Sequence, residues 1–101
     1  MNPRNLVDAT NAILKVYSLV GDFESYQSVY NQIILSKDNY FKSLPADKRN
    51  SILQLAGRPT RLRGRINFND PTIQTILDIF LNGRNATDKE RDALLKYGIR
   101  V

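Results

Sequence analysis

The chain contains no cysteine, no histidine and no tryptophan. Without cysteine there is no disulfide, no thiolate metal site and no thiol nucleophile. Without histidine it lacks the commonest transition-metal ligand and the commonest general base near neutral pH. Glutamate is nearly as scarce, with Glu24 and Glu90 standing beside eight aspartates. Several of these acids have a local duty in the pattern. Asp22 and Asp70 stand where helix caps are needed, and Asp88 and Glu90 fall in a helical first turn, where negative charge is favourable. No glycine-rich phosphate cradle and no metal-ligand cluster is spelled out. The residue set therefore excludes thiol chemistry and points away from enzymology. Neither a metal nor an organic cofactor is expected.

Long apolar runs are missing as well. Met1-Asn2-Pro3-Arg4-Asn5 lacks the basic flank and uninterrupted apolar stretch of a signal peptide. No segment approaches the roughly 20 apolar residues that span a bilayer as a helix. A cytoplasmic protein without a membrane partner is the expectation.

What remains is an ordinary globular composition. The chain has 101 residues, 42% of them hydrophobic and 25% charged, which suffices for one core without covalent staples. A single helical domain over residues 1–101 is expected.

The apolar spacing is helical almost throughout. Asn2 and Pro3 read as a cap and a first-turn proline. Leu6, Ala9, Ile13, Val16, Tyr17 and Val20 then recur at three- and four-residue intervals, predicting a first helix over about 3–20 that ends at Gly21. Asp22 caps a second helix carrying Phe23, Tyr26, Tyr30, Ile33 and Ile34. It stops between Ser36 and Ser43 and forms a hairpin with the first. Ser43-Leu44-Pro45 starts a third helix, with Ser43 as cap, running to Gly57. Asp70 and Pro71 open a fourth. Its apolar arc (Ile73, Ile76, Leu77, Ile79, Phe80, Leu81) is so wide that this helix is expected to be the central, most buried one. Thr87-Asp88-Lys89-Glu90 is a capping box, starting a fifth helix that stops at Gly98. The expected fold is all-α, a compact bundle of about five short helices. Asp47-Lys48 through Leu53 and Gly57 aligns at a fixed offset with Asp88-Lys89 through Leu94 and Gly98, which we read as two independently capped helices rather than a repeat.

Charge is where the chain departs from the ordinary. The net charge is +5, and the segment Lys48 to Arg65 holds six basic residues and no acidic one, while the remainder holds nine basic and ten acidic. The whole excess is local, which points to an anionic partner. Within it, Arg61, Arg63, Arg65 and Asn67 alternate with Leu62, Gly64, Ile66 and Phe68. Alternation of period two predicts an extended segment. With no second strand to pair, it is expected as an extended arginine-rich loop between the third and fourth helices, pinned by Leu62, Ile66 and Phe68.

Arginine presents five donors in a planar fork that matches phosphate oxygens two at a time. The leading expectation is a small nucleic-acid-binding accessory or regulatory protein contacting phosphate through Arg58, Arg61, Arg63 and Arg65, with Lys48 and Arg49 extending the patch. DNA and RNA are both open. The alternative is a protein-interaction module: a small inhibitor, adaptor or assembly subunit, of the kind viruses and mobile elements encode. There the same loop grips an acidic protein surface, and a homo-oligomer is possible. Two further patterns are set aside. A helix-turn-helix over the fourth and fifth helices fails because Asp88, Glu90 and Asp92 cancel Lys89, Arg91 and Lys96 on the reading helix. Tyr26, Tyr30, Tyr40 and Phe41 are better used in packing, hydroxyls at the rim, than in base stacking.

Overall fold

The computed structural model describes residues 3–101. Its helices are α1 (Pro3–Val16), α2 (Phe23–Ser36), α3 (Asp38–Lys42), α4 (Ala46–Ala56), α5 (Pro71–Asn82) and α6 (Asp88–Leu95), and no strand occurs among the described residues. The protein is all-α. The sixth element is the one-turn α3, which lets Tyr40 and Phe41 dock on the core after α2 has ended. The radius of gyration is 13.4 Å, close to the roughly 13 Å of a packed chain of this length.

α1 obeys its periodicity: Leu6, Ala9, Ile13 and Leu14 are buried, and Asp8, Asn11 and Lys15 face out. Asn2, its expected cap, lies outside the described residues. The helix stops at Val16 rather than near Val20. Ser18 adopts the left-handed conformation at φ 58°. The Leu19 amide donates to the Leu14 carbonyl at 2.8 Å and the Ser18 amide to the Lys15 carbonyl at 3.2 Å, the paired closure of a Schellman end. Ending early turns Leu19 into the core and leaves Val20 67% exposed. α6 closes with the same wiring: the Ile99 amide donates to the Leu94 carbonyl at 3.1 Å and that of Gly98 to Leu95 at 2.9 Å, with Gly98 at φ 78°.

The centre of the bundle is α2, not the helix with the widest apolar arc. α2 buries Ser25, Ser28, Val29, Asn31, Gln32, Ile33 and Ile34, whereas α5 buries only Ile73 and Ile76. α2 packs against α1, α3 and α4, while the main helical partner of α5 is α1. Leu77, Ile79, Phe80 and Leu81 are consequently half-buried on the outer layer. A hydrophobic arc measures how much apolar surface a helix carries. It does not count how many neighbours reach that surface.

Several caps differ from the sequence pattern. The Asp22 carboxylate sits at the α2 cap position, but it accepts from the buried Ser25 hydroxyl instead of a first-turn amide. Ser43 does not cap α4. It closes α3, its hydroxyl donating to the Tyr40 carbonyl at 2.6 Å, and Pro45 takes the α4 cap position. Asp70 caps α5 as expected, accepting from the Thr72 amide at 2.8 Å. The capping box of Thr87 and Glu90 is fully formed. The apparent repeat has no structural counterpart, since Gly57 has φ −89° where Gly98 is left-handed.

Candidate nucleic-acid interface

Between α4 and α5 the chain has neither helix nor strand, and Arg58, Arg61, Arg63 and Arg65 are all exposed there. Leu62 and Ile66 are buried, and Phe68 is half-buried against the core. The alternation therefore marks which residues pin the segment. The backbone, however, is not extended throughout. The Thr60 hydroxyl oxygen accepts from the Leu62 amide at 3.1 Å, and the Thr60 carbonyl from the Arg63 amide at 3.5 Å. Arg63 then takes the left-handed conformation at φ 54°, followed by Gly64 at φ 113°. A lone strand would leave its amides and carbonyls without partners, so the segment folds into turns that meet part of that demand locally.

One further amide of the segment is met by α2. The Ile66 amide donates to Oε1 of Gln32 at 2.8 Å. Nε2 of Gln32 donates to Oγ of Ser28 at 3.0 Å. The Ser28 hydroxyl in turn donates to the Ala56 carbonyl at 3.2 Å. Gln32 and Ser28 are 4% and 2% exposed, so each group in the chain must find its partner inside the protein. Ala56 ends α4 and Ile66 follows the last arginine. Both flanks of the arginine segment are thus tied to one face of α2, one helical turn apart. Sequence reasoning missed Gln32 and Ser28. The signal was there: Ser25, Ser28 and Gln32 fall at helical spacing beside Val29 and Ile33, a polar stripe within the buried face.

Among the described residues, none of Arg58, Arg61, Arg63 and Arg65 takes part in an ion pair. The contrast is Arg84, just beyond α5. It grips Glu90 with two parallel bonds, 2.9 Å and 2.8 Å, and its Nε lies 3.8 Å from Asp78. Glu90 also accepts from the Thr87 amide at 3.0 Å and from the Thr75 hydroxyl at 3.4 Å. Hydrogen bonds from Arg84 first, and from the Thr87 amide second, hold the Glu90 carboxyl down at about 2, and the bond to Glu90 raises the Arg84 guanidinium.

Lys48 and Arg49 are carried by α4 and not by the loop. They sit in the first turn of α4, and the loop leaves its last, roughly 13 Å further along the axis at 1.5 Å per residue. Lys48 is exposed at the edge of a 290 Å³ groove that it shares with Tyr30, Tyr40 and Leu44. Arg49 is half-buried on the helix side that carries Ile52 and Ala56, and its Nε is buried without a hydrogen-bond partner among the described residues. The four loop arginines share one segment, and these two lie at the far end of the preceding helix.

Tyr26 and Tyr30 stack with centroids 6.0 Å apart and are both half-buried. Burial, and then the neighbouring Tyr26 and Tyr40, push the Tyr30 hydroxyl above its ordinary value. Among the described residues no group of three or more acids comes together to hold a metal ion. No helix among them is long and apolar enough to cross a membrane. Comparison with known proteins found no matching family model, no matching curated protein and no matching solved structure.

Proposed function

We propose that this chain is a non-catalytic nucleic-acid-binding accessory or regulatory protein that grips phosphate through Arg58, Arg61, Arg63 and Arg65. One observation carries the reading: four exposed guanidiniums without a carboxylate partner among the described residues, on a segment tied to the core at both flanks. Because the backbone is held in advance, binding does not have to order it, and the cost of fixing a loop is lowered. Contacts of this kind position a protein on the phosphate backbone and carry no sequence information directly. Lys48, at the far end of α4, serves as a secondary contact for the same strand, and Arg49, turned inward, contributes least.

The test is fluorescence anisotropy with labelled duplex DNA, single-stranded DNA and RNA at several salt concentrations. With all four arginines on phosphate, log affinity falls against log salt with a slope of roughly −3 to −4. Replacing the four by alanine abolishes both the affinity and the slope. Unchanged affinity in that variant overturns the assignment.

A second reading draws on Val20 and Phe23, which are 67% and 69% exposed at the α1–α2 turn. Exposed apolar side chains so close in the chain fit a protein partner better than a nucleic acid. In that reading the arginines meet an acidic protein surface or a second copy of the chain. A protein that binds no strand at low salt and runs as an oligomer on size exclusion supports it.

A further inference from the structure

Beside the last loop arginine the surface opens into a recess of 220 Å³ lined by Gln32, Leu35, Ser36, Arg65, Ile66 and Phe68. We propose that this recess holds one unpaired nucleobase of a bound single strand. The inference rests on the nucleic-acid reading above and goes beyond it by assigning a strand type and a base site.

The recess is smaller than the roughly 300 Å³ at which pockets for drug-sized ligands begin, so it suits a single ring system. Its apolar lining comes from Leu35, Ile66 and the half-buried ring of Phe68. An aromatic side chain at the edge of a basic surface is the usual stacking platform for an unpaired base, since every base offers a π face. Arg65 stands at the same opening, exposed and without an ion-pair partner among the described residues. It complements the phosphate of the nucleotide whose base enters. The Ser36 hydroxyl donates to the Ile33 carbonyl at 2.6 Å, which leaves its oxygen free to accept from an exocyclic amine. The latch between Gln32 and Ile66 forms part of the lining, so the recess keeps its shape before a ligand arrives. A base paired within a duplex does not reach such a recess. An unpaired one does.

The experiment compares the intact protein's affinity for a labelled single strand, an abasic oligomer of equal length and charge, and a duplex, at one salt concentration. The base-bearing strand binds roughly five- to a hundredfold more tightly than the abasic one. Phe68→Leu, which keeps apolar bulk but removes the ring, erases that preference, read as the ratio of base-bearing to abasic affinity. Equal affinity of the wild-type protein for base-bearing and abasic strands overturns the recess and leaves the phosphate reading standing. So does a duplex that binds as tightly as the single strand, or a preference that survives Phe68→Leu. Absence of binding to any strand at low salt overturns both.

Discussion

At the corner between α5 and α6, Arg84 is consumed by structure: its fork closes on Glu90, Glu90 closes on the first turn of α6, and Asp78 stands behind. Between α4 and α5 the arrangement is reversed. The charged groups have no ion-pair partner among the described residues, and a buried neutral chain through Gln32 and Ser28 holds the backbone that carries them. The corner spends charge on fixing a turn, whereas the loop fixes its turn with amides and hydroxyls and leaves its charge exposed. Counting arginines does not separate these uses. Asking what else satisfies the nearby backbone does.

The largest effect comes from breaking the loop's neutral anchor. Gln32→Ala leaves the Ile66 amide buried without a partner, which costs about 1–3 kcal/mol, and lost packing adds to it. Urea denaturation measures the loss. The same variant binds nucleic acid more weakly with little change in salt slope, because the arginines remain but are no longer held. At the corner, Thr87→Ala removes a cap that accepts from the Glu90 amide at 3.2 Å and lowers stability by about 1 kcal/mol. Binding in this variant matches the wild type.

Acid probes the corner alone. The folded Glu90 carboxyl, at about 2, lies below its ordinary 4.5. Its contribution is therefore complete above pH 4.5 and is lost as the pH falls through 2. An Arg84→Gln variant loses the larger part of this acid-sensitive component and keeps what the Thr87 amide supplies, and a stability–pH profile without a difference between the two proteins contradicts the assignment. The smallest effect on stability is expected where the effect on binding is greatest. Replacing the four exposed loop arginines with alanine shifts unfolding by no more than about 0.5 kcal/mol. A larger loss shows that their charge is already engaged within the fold.

Much of this was legible from residue order. Helical periodicity located the long helices, and Asp70-Pro71 and the Thr87–Glu90 box marked two starts that the structure realises. The limits have physical causes. The end of α1 depended on whether Leu19 or Val20 faces the core, and adjacent apolar residues look alike to a periodicity argument. The rank of α2 over α5 depended on tertiary neighbours, which no single helix encodes. The arginine segment was recognisable by charge and its pins by alternation. Its turns were hidden because Arg63 is not a residue that usually takes a left-handed conformation. Gln32 escaped because a buried glutamine is informative only once the distant amide it serves is known, and Arg49 looked like a surface cation until α4 was seen to turn it inward.

The bonds from Ile66 through Gln32 and Ser28 to Ala56 all point the same way, each donor's neighbour donating onward. A loop amide thereby shares its fate with the contact between α2 and α4. Its proton is expected to exchange with solvent more slowly than those of the exposed loop residues, which a hydrogen-exchange measurement checks. The Ile66 end of the arginine loop, irregular as its backbone is, is thereby coupled to the α2–α4 contact.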